Sequence, residues 1–432
     1  MPHIRYALSL SLLLSCLLNS AQADDFSFPA MNAFMATIAG TPPDQRADVP
    51  EESSIRQRDL SVRVLPDRDL PHVLSRYQNL HFRLAWHNEP APLLFLLAGT
   101  GSGYDSARMD YLKALFWQAG MHVIVLSSPT NHDFIAAASH SGRPGLGRED
   151  ARDLHTAMSM AAEHARDTKG IEITEYRLAG FSLGALNAAF VSDLDQRLGQ
   201  FNFSRVLLLN PPVDLYTSVR RLDSLSDTRI EGISNTDSFY EHIFNKLSRY
   251  YAETGDTDIE SGLFQGIQSS DQAFSESELA MLIGAVFRFA AADLNFMTDL
   301  INKTGRYAPA DKPLWVSTSL TPYLRRALFC DFECYLQNQL LPEWQSRHAG
   351  KTIDDMAWET SLRSISAHLQ DNASIAVISN ADDFILNQAD YQFLIDTFGE
   401  RAHLFPRGGH GGNLQHLQVT ATMLDFLTEH AQ

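Results

Sequence analysis

Ala179-Gly180-Phe181-Ser182-Leu183-Gly184-Ala185-Leu186-Asn187-Ala188-Ala189-Phe190 is the stretch on which the reading of this chain turns. The strand-like run Tyr176–Ala179 enters a G-x-S-x-G turn, and a helix-forming segment, Leu183–Leu198, follows with no loop between them. A turn that abrupt leaves no space for side chains beside the serine, so glycine must flank it. It lifts the hydroxyl above the sheet edge and sets it at a helix N-terminus, where the dipole and free N–H groups favour developing negative charge. Ser182 is therefore the candidate nucleophile, and the Leu183 backbone N–H is a candidate oxyanion donor.

A serine nucleophile needs a base and an orienting acid. The base is expected in Phe405-Pro-Arg-Gly-Gly-His410-Gly-Gly412, after a strand and before the last helix. Four glycines around one histidine leave open space beside the ring, which packing alone does not require. His416, His132 and His140 are the competing histidines. The acid is expected beyond a strand lying between the serine and the histidine. Ser374–Ser379 is that strand, and Asp383, three residues past Asn380, is the first choice. Asp382 and Asp214 are the alternatives, although turn or cap carboxylates are common at such places. The second oxyanion donor is assigned to Thr100, in the loop Ala98-Gly-Thr-Gly-Ser-Gly103. That loop lacks both the Lys-Ser/Thr ending of a Walker loop and the G-x-G-x-x-G spacing, which argues against nucleotide binding.

With Gly180-Phe-Ser-Leu-Gly184, Asp383 and Gly409-His410-Gly411 in that chain order, the sequence resembles the α/β-hydrolase superfamily. The resemblance covers about residues 59–213 and 372–432. It implies a mostly parallel sheet of eight strands and a triad that works without a cofactor or metal. Where the superfamily usually has His-Gly before the oxyanion loop, this chain has Ala98-Gly99.

The rest of the chain is organised around that core. Leu60–Leu65, Leu80–Trp86, Leu93–Ala98, His122–Ser127, Tyr176–Ala179, Arg205–Leu209 and Ser374–Ser379 read as strands. Several are nearly continuous in Val, Ile and Leu, a mark of burial on both faces. Helical stretches at Ala107–Ala119, Glu149–Arg166, Leu183–Leu198, Ala389–Phe398 and Asn413–His430 alternate with them, which predicts an α/β fold: a mostly parallel sheet with helices on both faces. Residues 214–371 break the alternation and predict an all-helical insertion, in the position of a cap or lid. Phe239, Ile243, Phe244, Leu247 and Tyr250 make one apolar face there. Ser275-Glu-Ser-Glu278 is a capping box ahead of a long helix through Leu300, whose Arg288 and Asp293 argue against a membrane span. Further helices are expected at Leu324–Leu340 and Met356–Leu369. Residues 24–58 show no sustained period and read as an extended arm or loosely packed leader.

The ends and the composition speak to location and partners. Leu8–Leu18 is an apolar run too short to span a bilayer, and Ala21-Gln-Ala23 offers small residues to a signal peptidase, so residues 1–23 read as an export signal cleaved after Ala23. Lipidation at Cys16 is the lesser alternative. Cys330 and Cys334 are too few for a zinc site; they can pair in an oxidising compartment or stay as buried free thiols. Of 432 residues 20% are charged, and 52 acidic against 34 basic residues leave a net charge of -18. A surface that negative repels phosphate backbones, which argues against nucleic acid as a partner. The expectation is thus an exported serine hydrolase, periplasmic or secreted, acting on a carboxylic ester or thioester with a small-molecule or lipid-like acyl group. An acyltransferase on the same fold, a peptidase and a non-catalytic binding protein are the rivals.

Overall fold

The computed structural model describes residues 26–228 and 274–429. The expected export signal, Cys16 and the apolar face of Phe239, Ile243, Phe244, Leu247 and Tyr250 lie outside the described residues. Eight strands form one sheet: β1 (Gln57–Val62), β2 (Leu80–Ala85), β3 (Ala91–Leu97), β4 (His122–Leu126), β5 (Ile173–Phe181), β6 (Arg205–Leu209), β7 (Ile375–Asn380) and β8 (Ala402–Phe405). Their order is β1-β2-β4-β3-β5-β6-β7-β8. β2 runs antiparallel to both neighbours, and every pairing from β4 to β8 is parallel.

The near-continuous apolar runs are explained by the two layers they serve. Along β3, Leu93, Phe95 and Leu97 point into one core with Phe82, Leu154, Leu178 and Phe190. Leu94, Leu96 and Ala98 point into the other with Leu112, Phe116, Val123 and Met423. Helices Gly147–Lys169, Leu183–Leu198 and Gln388–Phe398 cover the first face, and Ala107–Gln118 and Leu417–Thr428 cover the second. Each strand residue finds a packed layer whichever way it points, so the period-2 alternation of a half-exposed strand is absent.

Two boundaries and the character of the arm differ from the reading of the sequence. The first strand spans Gln57–Val62 instead of Leu60–Leu65, because its register is set by pairing with β2, where Asp59 stands opposite Arg83 and ion-pairs with it at 2.7 Å. The last helix starts at Leu417 instead of Asn413; Asn413 turns back to bond Asn380, and His416 caps the helix. The arm is neither extended nor loosely packed. It contains the helix Ala33–Ala39, and Phe28, Ala36 and Ala39 are essentially fully buried.

Among the described residues, 214–371 contains no strand. The helix Glu276–Asn302 begins at the Ser275–Glu278 capping box and is the one described helix long and apolar enough to cross a membrane. Half of its most apolar window is buried against the chain, and its charges have partners: Arg288 pairs with Asp331 at 3.5 Å and Asp293 with His132 at 3.4 Å. The expected helix Leu324–Leu340 is broken into Thr321–Ala327, Phe332–Tyr335 and a π turn, Leu336–Leu340. Asp331 accepts the Cys334 N–H at 2.8 Å and so restarts the helix. Met356–Leu369 is likewise divided, into Ile353–Glu359, Leu362–Ile365 and Ser366–Asp371, with Ser361 capping the second piece. Leu362, Ile365 and Leu369 join the core beneath the sheet, so packing ends the insertion about ten residues before position 371.

Candidate active site

The site is assembled at the carboxyl ends of β5, β6, β7 and β8. Ser182 sits between β5 and the helix Leu183–Leu198 with φ 54° and ψ −121°, a conformation that a non-glycine residue adopts only where the surroundings impose it. Those surroundings are tight. A side chain at Gly180 would run into the Gly184 carbonyl, and one at Gly184 into the Leu97 and Ala98 carbonyls. Ser182 N–H also donates to the Leu209 carbonyl at 2.8 Å, tying the turn to β6.

The structure brings Ser182, His410 and Asp383 together. His410 Nε2 is 2.8 Å from Ser182 Oγ, and His410 Nδ1 is 3.0 Å from Asp383 Oδ2. With Nδ1–H directed at the carboxylate, the Nε2 lone pair is left to accept from the serine hydroxyl. All three residues are buried, with exposures of 7% for Ser182, 4% for His410 and 4% for Asp383. Asp383 is held in turn by Asn210 Nδ2 at 2.9 Å and by the Ile385 N–H at 3.2 Å. Asn210 itself has φ 48° at the end of β6.

The alternative acids have other duties. Asp382 accepts the Gly408 and Gly409 N–H groups at 3.2 and 2.9 Å, bracing the backbone that leads into His410. Burial pushes its carboxyl up, against those two bonds, which pull it down. Asp214 caps the helix Leu215–Leu225 by accepting from Thr217 N–H at 2.8 Å. The competing histidines are also engaged elsewhere. His132 faces Asp293, His140 Nδ1 lies 2.6 Å from Asp153, and His416 Nε2 lies 3.0 Å from Ser27 Oγ.

Thr100 and Leu183 line one cavity of about 50 Å³, whose other walls include Leu215, Leu294, Phe332 and Leu336 from the helical insertion. The Gly99–Thr100 backbone approaches the serine so closely that a Cβ on Gly99 would stand 3.3 Å from Ser182 Cβ. Gly101 N–H donates to Thr130 Oγ1 at 2.8 Å and Asn131 Nδ2 donates to the Gly101 carbonyl at 2.9 Å, which holds the loop against the segment that follows β4. Cys330 and Cys334 are joined in a disulfide with Cα atoms 5.2 Å apart, beside the Phe332 that lines the cavity. No group of three or more His, Cys, Asp or Glu converges as a metal site among the described residues.

Sequence reasoning missed the groups that hold the histidine loop. Thr37, Asn380 and Asn413 come from the arm, from β7 and from the turn before the last helix, and each bonds residues 407–410. The glycines of that loop were the available signal: side chains at Gly409 and Gly412 would overlap the Ala33 and Ala36 carbonyls, so something had to pack there.

No family model matches the chain, and no curated protein matches it. Similar solved structures include the Pyrococcus furiosus esterase Pf2001, with a TM-score of 0.41, 10% identity, and coverage of 88% of this chain and 95% of that one. A variant of the esterase rPPE follows at 0.42 and 13%, covering 90% and 88%. A hyperthermophilic esterase from the archaeon Pyrobaculum calidifontis stands at 0.37 and 16%, covering 96% and 95%. At such scores the likeness adds nothing to the geometry. The strand order, the serine turn between β5 and its helix, and the helical insertion after β6 give this chain the α/β-hydrolase fold.

Proposed function

We propose that the chain is an exported serine hydrolase that cleaves a carboxylic ester or thioester through an acyl-enzyme. The observation that carries this reading is the unbroken line from Asp383 through His410 to the strained Ser182, with bonds of 3.0 and 2.8 Å. Ser182 Oγ attacks the acyl carbonyl while His410 Nε2 takes its proton. The carbonyl electron pair moves onto oxygen, toward the Leu183 and Thr100 N–H groups. Collapse of the tetrahedral intermediate expels the alcohol or thiol, which leaves with the proton from His410. Water then attacks the acyl-enzyme by the same route and releases the carboxylic acid, restoring Ser182. Asp383 holds the ring throughout.

The apolar walls around Thr100 and Leu183 favour an apolar acyl group, because Leu215, Leu294, Phe332 and Leu336 offer it no polar partner. The Cys330–Cys334 disulfide supports export to an oxidising compartment, periplasmic or extracellular. The test is turnover of p-nitrophenyl esters of graded acyl length by the chain starting at Asp24, with Ser182→Ala alongside. Turnover of apolar acyl esters that Ser182→Ala reduces roughly 1,000-fold or more is expected. A wild type that cleaves none of them contradicts the proposal.

A further inference from the structure

We infer that Thr37, on the N-terminal arm, is a positioning residue that sets the height of the His410 ring over Ser182; the inference rests on the reading of Ser182 and His410 given above. Thr37 Oγ1 accepts the His410 backbone N–H at 2.8 Å and donates its own proton to the Ala33 carbonyl at 2.7 Å. The hydroxyl therefore has one orientation, with its lone pair aimed at the base. The two residues are 373 positions apart in sequence. His410 is preceded by Gly408 and Gly409 and followed by Gly411, all with positive φ, so its own backbone imposes little on where the ring stands.

The arm is built to supply that constraint. Its helix lies so close to the loop that Gly409 faces Ala33 and Gly412 faces Ala36 with no space for a side chain. Thr41 Oγ1 donates to the Gly412 carbonyl at 3.0 Å, and the Ala47 N–H donates to the Gln415 carbonyl at 2.8 Å. Arg407 returns the contact by donating to the Phe28 and Phe26 carbonyls at 2.5 and 2.6 Å. Arm and loop are clamped at both ends, and Thr37 is the point at which the clamp meets the base itself.

Thr37→Val keeps the shape of the side chain and removes the acceptor; Thr37→Ser keeps the acceptor. On the best ester from the graded panel, Thr37→Val is expected to lower kcat about tenfold with KM within about twofold, as befits the loss of one orienting bond felt mainly in the transition state. Thr37→Ser is expected to restore most of kcat. Labelling of Ser182 by a fluorophosphonate should slow by a similar factor in Thr37→Val while still reaching one adduct per chain. If circular dichroism shows that Thr37→Val is misfolded, Thr37→Ala carries the same comparison. An active wild type with an unchanged kcat in Thr37→Val, or equal losses in the Val and Ser variants, overturns the inference alone. A wild type that neither labels nor cleaves any ester overturns the reading of the site and the inference with it.

Discussion

Asp382 and Asp383 are adjacent in sequence and do different work: one holds a loop, the other a ring. Asp383→Asn leaves the shape and lets the wrong His410 tautomer form, so kcat is expected to fall roughly 1,000- to 10,000-fold. Asp382→Asn loses one of two backbone acceptors and is expected to cost kcat only about tenfold, with a lowered melting temperature. Steady-state kinetics on both variants checks this, and comparable losses would contradict the assignment. The sequence favoured Asp383 but left Asp382 open, because neighbouring residues share the same strand end and only the loop's path decides which carboxylate meets the ring. Ser182 and His410 stood out earlier, each marked by flanking glycines, but around His410 those glycines serve close packing by the arm and neighbouring side chains instead of open space beside the ring. Thr37 carried no mark, since its partner lies at the other end of the chain.

At the scale of elements, the turn and the insertion make separate predictions. Gly180→Ala or Gly184→Ala forces a methyl into a backbone carbonyl and is expected to destabilise the fold by about 3 kcal/mol or more, measured by urea denaturation. Within the insertion, Asp223 accepts the Phe332 and Glu333 N–H groups at 3.3 and 2.9 Å, joining the helix Leu215–Leu225 to the segment that lines the cavity. Burial raises its carboxyl to about 6; the nearby Asp331 raises it as well, whereas its backbone bonds and Arg288 lower it. A folded-state value above the unfolded one means that the folded chain holds the extra proton. Its stabilising contribution is therefore present at pH 4 and is lost as pH rises through about 6. The melting temperature of the wild type minus that of Asp223→Asn should accordingly fall between pH 4 and 7; a difference that grows would contradict the account. Strands buried on both faces were legible from their apolar runs. The division of 324–340 was not, because Asp331 and its cap compete locally with a periodicity that continues through them.

On the scale of the whole molecule, the described part of the arm, residues 26–58, is packed into the core of the sheet. Phe28 is fully buried and the Phe26 ring packs tilted against Phe405 at 4.9 Å between centroids, so the arm adds to the core behind the histidine loop. Phe28→Ala is expected to cost about 3–5 kcal/mol and to lower kcat together with stability, read by calorimetry and ester turnover. The arm was illegible because its anchors are single aromatic residues with no period, and their partners come from the far end of the chain. The alternation of strands and helices carried the fold, since both layers of the sheet are written in the order of the elements. A hydrolase of this kind depends first on Ser182 being an activated nucleophile. The direct measurement is the intact mass of the chain starting at Asp24 after exposure to a fluorophosphonate, with Ser182→Ala beside it. One adduct is expected on the wild type and none on the variant; an unmodified wild type, or an adduct that persists in Ser182→Ala, rules out Ser182 as the activated nucleophile.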